Sequence, residues 1–417
     1  MKRFTSLFLV LAMAVSIFAG CGGSADEKKE TNAPEETTAA AKEEQDTNAE
    51  SGAAEESGGA QAAGGDTVTF GLSCAITGNF PLAGERTLQG VQMAVDEINA
   101  AGGVLGKKLE FVYEDDGNDP TQAVTVVTKL LNEDICGMIG PHTTTNCLAV
   151  QELVGETKIP YITGGSGIKI AAAENPWVFQ CRPSDGMNGI VAADFAVKEL
   201  GAKKVGVFFN NNDFGVGGRD AVTAELDKLE VEYITLGHNS GDTDMTSQLM
   251  QFISEGIDTM ILWTDDAEDV VVARQAYELG LEANVITSAG VVMEQVLSQM
   301  EPEYVEGWYS VTDFVPANED PVVSKFVEDF KALYDIEPEL YASAYYGAVK
   351  FLAAAIEKAG SDDPAAIRDA MAELKDVNGP TGTLSCASDN TLIHSCVVTQ
   401  ITDLKPAVVN TVTADFE

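Results

Sequence analysis

The chain has 417 residues and sets 66 Asp and Glu against 25 Lys and Arg, a formal net charge of −41. Neutralising phosphates needs clustered cations, so nucleic acid is excluded as a partner, and anionic lipid surfaces suit the chain no better. Hydrophobic residues make up 45%, enough for a core; at roughly 150 residues per domain the length allows two domains; and only His142, His238 and His394 are available for a zinc site or a His-based triad.

Residues 1–21, MKRFTSLFLVLAMAVSIFAGC, open with Lys2 and Arg3 and continue into an apolar stretch from Phe4 to Phe18. That stretch is short for a membrane span and right for the hydrophobic region of a signal peptide. Ala19 and Gly20 lead into Cys21, as in a bacterial lipoprotein signal, whose cysteine is lipidated after cleavage; Phe18 stands where such signals usually have Leu. The mature chain is therefore expected on the extracytoplasmic face of the cell membrane, held by lipid on Cys21. Residues 22–66 contain no Val, Ile, Leu, Met, Phe, Tyr or Trp, and carry twelve acidic and three basic residues. Such a segment cannot bury enough apolar surface to offset its chain entropy, so a disordered acidic tether is expected.

From Thr67 onward, short β-branched or aromatic runs alternate with amphipathic stretches. The runs predict strands at 68–73, 109–114, 136–140, 159–163, 205–210, 231–236, 259–264 and 284–288. Helices are predicted at about 85–101, 120–133, 144–157, 187–200, 215–229, 245–255, 266–279, 320–334 and 340–359. Strand–helix alternation implies parallel sheets covered by helices on both faces, and the length exceeds one compact core, so two α/β lobes are expected. Open parallel sheets bind ligands beyond the carboxyl ends of their strands, which directs attention to the loops there. Beyond Cys21 the chain holds six cysteines, an even number that permits disulfides outside the cytosol. Cys386 and Cys396 flank a turn-like CASDNTLIHSC and form the expected pair. No CxxC spacing occurs, and no metal or cofactor is expected.

The loops carry a recognisable set: Thr77-Gly78, Gly84, Gly90, AVDEINAAGGVLGKKL at 94–109, DDGNDPTQAV at 115–124, MIGP at 138–141 and IPYIT at 159–163. Together these resemble the type I periplasmic binding proteins of the branched-chain amino-acid transport family, over essentially all of 67–417. The resemblance implies two Rossmann-like lobes with parallel sheets, joined by a three-crossover hinge and closing on a ligand between them. It places the first lobe at 67–183 plus 312–378 and the second at 184–311 plus 379–417. It also implies a monomer that delivers a small amino acid to the permease and ATPase subunits of an ABC importer.

Pro141 to Asn146 join a strand to a helix start, where backbone N–H groups and threonine hydroxyls suit a carboxylate. The family places a hydroxyl residue here on the ligand carboxylate; Thr144 matches it, with Thr143 beside it, and a plain N-cap is the structural alternative. In the next loop the family offers a carbonyl to the ligand amine, and a backbone N–H plus a threonine hydroxyl to its carboxylate. Gly165 and Gly167 match those positions, with Ser166 left to supply the missing hydroxyl. Phe214 stands where the family often has a tyrosine over the ligand; the alternative is a hydrophobic staple for the following helix. The family's acidic partner for the ammonium aligns with Ala289; of Asp265 and Asp266 one is read as the N-cap of the following helix, and either Asp265 takes the acid's role from the neighbouring strand end or the ligand is not a standard amino acid. Phe80 substitutes for an aromatic absent at Ala83. The aromatics Trp308, Tyr309, Tyr341, Tyr345 and Tyr346 are more simply core than cleft.

A hydrolase would need paired carboxylates across a cleft, but the adjacent pairs Asp115–Asp116 and Asp265–Asp266 suit caps and turns better. The chain is therefore read as a binding protein and not an enzyme. A sensor subunit, or a binder of a non-amino-acid carboxylate or amide, are the alternatives to an amino-acid importer subunit.

Overall fold

The computed structural model describes residues 67–413, apart from Asn79, Ala173 and His394. The expected signal peptide, Cys21 and the tether at 22–66 lie outside the described residues. The chain order begins β1 (Thr67–Cys74), α1 (Pro81–Ala100), β2 (Lys108–Asp115), α2 (Pro120–Leu130), β3 (Met138–Ile139), α3 (Thr144–Thr157), β4 (Tyr161–Thr163), α4 (Ile168–Ala172) and β5 (Val178–Gln180). It continues α5 (Asp185–Asp194), β6 (Lys204–Asn210), α6 (Asp213–Lys228), β7 (Glu232–His238), α7 (Thr246–Glu255), β8 (Thr259–Trp263), α8 (Asp266–Leu279) and β9 (Asn284–Thr287). Two short helices follow, α9 (Glu294–Leu297) and α10 (Pro302–Val305), then β10 (Tyr309–Thr312), α11 (Pro321–Tyr334), α12 (Leu340–Ala359) and α13 (Pro364–Ala372). Strands β11 (Val377–Gly379), β12 (Gly382–Leu384), β13 (Ser395–Thr402) and β14 (Lys405–Thr413) complete the chain.

Five strands form a parallel sheet in the order β2-β1-β3-β4-β5. A second sheet runs β14-β13-β10-β9-β8-β6-β7, parallel from β7 to β10, with β13 and β14 added antiparallel at one edge. The strands are apolar on both faces because helices cover both. In β8, Ile261 and Trp263 face α5 and α6 with Val191 and Val222, while Met260 and Leu262 face Leu249, Phe252 and Val272 of α7 and α8. In the first sheet Phe70, Leu72 and Ile162 pack with Val91 and Val95 of α1 and Leu352 and Ile356 of α12. Met138, Tyr161 and Val178 turn the other way, toward Val127 of α2 and Val150 and Val154 of α3.

Each sheet reverses its order once, between β1 and β3 in the first and between β6 and β8 in the second. A crevice opens at such a switch point, beyond the strand ends. The chain passes between the sheets three times, at 181–184, at 313–320 and after Leu392. The last passage comes later than the expected boundary at 378/379: β11 and β12 form a hairpin against α12, and Thr391 still bridges Gln180 of β5. This also corrects the expected disulfide. All six cysteines of the described residues are free, and Cys386 and Cys396 lie in different hydrophobic clusters. The segment after Cys386 does fold back as a turn, with Ser385 N–H on the Leu392 carbonyl (2.8 Å) and Ala387 N–H on the Thr391 carbonyl (3.0 Å), but it packs beside β5, and Cys396 already belongs to β13 of the other sheet. The predicted helix at 187–200 begins at Asp185 and finishes in a π-helical turn, Phe195–Glu199. Among the described residues no helix is long and apolar enough to cross a membrane.

Candidate ligand-binding cleft

A cavity of about 590 Å³ lies where the two switch points face each other. Its wall comes from the loops after β1 and β3 on one side and after β6 and β8 on the other, closed by Ser288–Gly290 and by Leu340 and Tyr341 of α12. Its volume suits a small-molecule site.

On the first-sheet side, Gly140 has φ +88°, and a Cβ there would strike the Ser73 carbonyl, so glycine lets the end of β3 run close beside β1. The chain then presents His142, Thr143 and the start of α3 to the cavity. No side chain caps α3, so the N–H groups of its first turn lack side-chain acceptors, which suits an anion. Thr143 donates its hydroxyl to Asn118 Oδ1 (2.8 Å), and Thr144 Oγ1 accepts from Gly167 N–H (3.1 Å). His142 is buried; its Nδ1 lies 3.4 Å from Ala75 N–H and its Nε2 2.7 Å from Thr87 Oγ1. Burial and the nearby Arg182 charge drive its pKa down to about 3, so it faces the cleft as a neutral ring, against Phe80 and Tyr341.

Across the cavity, Asp265 and Asp266 follow β8. Asp265 holds the N-cap position of α8, yet its carboxylate does not cap: Oδ2 accepts from Asn210 (2.8 Å) and Asn212 (2.6 Å). Burial and the neighbouring Glu268 push its pKa up to about 6 against those two donors. Asp266 reaches toward Ala289: a Cβ built on Gly290 would sit 2.7 Å from its Oδ1. Burial, Asp265 and Glu339 push Asp266 up to about 8, with Gln295 and Arg182 opposing. Asp266, the second of the two adjacent aspartates, thus reaches the 288–290 loop from the neighbouring strand end and lines the cavity there. Phe214 lines the same wall and packs on Trp263, ring centroids 6.3 Å apart. Gly218 of α6 lies under that indole, where any side chain would strike the ring.

Arg182, in the first passage between the sheets, grips Asp313, in the second, with two hydrogen bonds of 2.9 and 2.8 Å, and both side chains are buried. Its guanidinium lies 5.2 Å from the centre of the Tyr341 ring. Asp313 holds Arg182 protonated despite burial. Asp185 opens α5, and burial pushes it up to about 7, opposed by Ser166 and Arg182.

Of the residues singled out from sequence, Thr143, Thr144, Ser166, Phe214 and Asp265 line the cavity, as does Phe80. Gly165 and Gly167 do not. Gly165 gives its carbonyl to Gln180 Nε2 (2.8 Å) and its N–H to Thr163, and Gly167 stands behind Thr144, where a side chain would collide with the Thr144 methyl. Asp115 and Asp116 are turn formers: Asp115 accepts from Ile76, Thr77 and Gly117, and Asp116 from Ser73 and Asn118. Tyr341 reaches the cavity, whereas Trp308 and Tyr345 are core. Sequence reasoning missed His142, Arg182, Asp185 and Asp266 as wall residues. His142 lay within a loop already singled out, but the Arg182–Asp313 pair spans 131 positions and leaves no local signal.

The arrangement offers backbone and hydroxyl donors on one wall and carboxyls on the other, with no nucleophile–base pair among the wall residues described. The family model described as periplasmic binding protein matches residues 67–405. An amino acid binding protein of Pseudomonas aeruginosa is 32% identical over 302 residues, 72% of this chain and 80% of that protein. A leucine-, isoleucine-, valine-, threonine- and alanine-binding protein of the same species is 26% identical over 321 residues, 76% and 85% of the two chains. The crystal structure of a leucine binding protein, LivK, from Thermotoga maritima superposes with a TM-score of 0.78 at 26% identity, covering 83% of this chain and 99% of that one. By its loop motifs, its paired switch-point sheets and these relatives, the chain belongs to the branched-chain amino-acid family of type I periplasmic binding proteins.

Proposed function

We propose that the protein is the extracytoplasmic solute-binding subunit of an ABC importer, a monomer anchored by lipid on Cys21, and that it captures a small amino acid, branched-chain or related, between its two sheets. The observation that carries this reading is the polarity of the cleft. An uncapped helix start with Thr144 and Ser166 faces Asp266 and Asp265 across one cavity, which matches the two ends of a zwitterion. The ligand carboxylate lies at the start of α3 and its ammonium at Asp266, with Asp265 held behind by Asn210 and Asn212. Phe214, Trp263 and Phe80 cover the apolar part. Contacts from both walls to one ligand favour the closed arrangement, because only there are all of them made. The permease and ATPase subunits of the importer are the implied partners.

A thermal-shift screen of residues 67–417 against α-amino acids and their decarboxylated and deaminated analogues tests the proposal. A ligand at 100 times its Kd stabilises by about 2.7 kcal/mol, well within detection. Amino acids should shift the transition, and analogues lacking either charged end should not. A carboxylate without an amino group that shifts as strongly as the amino acid would overturn the assignment of Asp266.

A further inference from the structure

The two bodies, each a sheet with its helices, also meet away from the crossings. There α6 of the second body touches α3 and α4 of the first, and Lys169 Nζ stands 2.7 Å from Asp213 Oδ1. Every other ion pair described lies within one body or, as Arg182–Asp313, joins two crossings. The side chains of Lys169 and Asp213 are 58% and 38% exposed, yet Ser166, Asn212 and Phe214, close to them in sequence, line the cavity, so the pair stands at its rim. Each end is fixed by its own body. Ile170, next to Lys169, is buried with Val150 and Val154 of α3. Asp213 opens α6, whose Val222 and Leu226 are buried against the second sheet. Gly215 lets that first turn sit against Asn210, where a Cβ would strike the carbonyl. The helix dipole alone favours a carboxylate in a first turn, but it does not bring a lysine of the other body within hydrogen-bond reach.

The neighbours of the pair tie it to the cleft. Asn212, before Asp213, donates to Asp265 and accepts from Gly215 N–H; Phe214, after it, packs on Trp263 in the cavity wall. Ser166, three positions before Lys169, lines the other wall. Moving Asp213 away from Lys169 therefore moves Phe214 and Asn212 away from Ser166. On the ligand-cleft reading above, on which this rests, we propose that Lys169 and Asp213 are positioning residues for ligand capture, whose ion pair holds the two walls together over a bound ligand and slows its escape. In a chain of net charge −41, like charge opposes the approach of the two bodies, and Lys169 supplies a local attraction where they touch. The pair forms only as the bodies close, after the ligand has entered, so it acts on dissociation and leaves association nearly unchanged. Its exposure keeps its worth small and leaves it open to screening by salt.

A charge-reversal cycle on the full chain tests this, with leucine as the probe and stopped-flow fluorescence as the readout. Lys169→Glu and Asp213→Lys should each speed leucine release about two- to fivefold, the reach of an exposed pair, with little change in association. The double reversal should bring release back to the unaltered rate, which a merely local structural role would not do. Raising NaCl from about 0.05 to about 0.5 M should erase most of the difference between the single variants and the unaltered protein. The same four proteins are compared without ligand by hydrogen exchange in residues 142–147, on the wall opposite Asp213. Exchange there should quicken in each single variant and slow again in the double reversal. Release and exchange that are unchanged in the single variants, or that the double reversal does not restore, would overturn the pairing and leave the amino-acid reading standing. Restored protection in a protein that binds no leucine would do the reverse, supporting the pairing while removing leucine from the ligands of the cleft.

Discussion

Moving the pH from 6 to 8 should change ligand affinity in a direction set by Asp266. In the free protein this carboxyl is pushed up to about 8 by burial and by Asp265 and Glu339, so at pH 7 about nine-tenths of it is protonated. A ligand ammonium pairs only with the ionised form, so its pKa falls on binding and a proton is released. Ionising it at pH 7 costs about 1.4 kcal/mol, a cost that shrinks as pH rises toward 8 and grows as it falls. Affinity should therefore rise about fiftyfold between pH 6 and pH 8 from this group alone, and level off above 8. Asp265 (about 6) titrates at the lower end of the same window, and its charge behind Asp266 attracts the ammonium in the same direction there. Calorimetry at pH 7 in buffers of different ionisation enthalpy should report release of close to one proton. In Asp266→Asn the rise above pH 7 should vanish, and affinity at pH 8 should fall by about 1.5–3 kcal/mol, the worth of a hydrogen bond to a charged group. An affinity that is flat or falls from pH 6 to 8, with no proton released, would refute the pairing.

Three further outcomes follow from the same geometry. Asp185, Asp265, Asp266 and Glu339 all have folded pKa values above those of the unfolded chain. The stability they contribute is complete at low pH and is lost as pH rises through about 6 to 8, so the Tm of the ligand-free protein should fall between pH 5 and 8 in calorimetric scans; a rising Tm would contradict it. Asp313→Ala strands the buried Arg182 and should cost about 3–5 kcal/mol in urea unfolding, whereas Arg182→Met with Asp313→Leu should cost much less. Thr144→Val leaves the Gly167 N–H without its acceptor and removes a hydroxyl from the anion wall; calorimetry should show ligand affinity about tenfold lower, near 1.4 kcal/mol.

Much of the architecture was legible because the signal is local. The helices at 144–157, 266–279 and 340–359 fall where the apolar spacing predicts them. Strands β13 and β14 escaped prediction, although Val397, Val398 and Ile401 are buried, because they pair antiparallel outside the strand–helix rhythm. Strand β5 has three residues, too few for a periodicity to show. In the site, the loss of the family's acid at Ala289 was visible in sequence, and so was a candidate pair to replace it. Which aspartate turns to the cleft depends on Asn210 and Asn212 claiming Asp265, and those partners are more than fifty positions away. The glycines after β4 matched the family's contact positions in one dimension, but Thr144 stands in front of Gly167 in space.

The Arg182–Asp313 fork ties two of the three strands of backbone that cross between the sheets. Bending about the line of crossings can leave that tie intact, whereas twisting one sheet over the other would drag its two ends apart and strand charge in a buried setting. Of the rotations open to two bodies on three cords, the fork thus penalises torsion and spares flexion. A membrane partner that reads the outer rims of the two bodies would then meet a molecule with essentially one coordinate, the width of its mouth, and occupancy would be reported as a single distance.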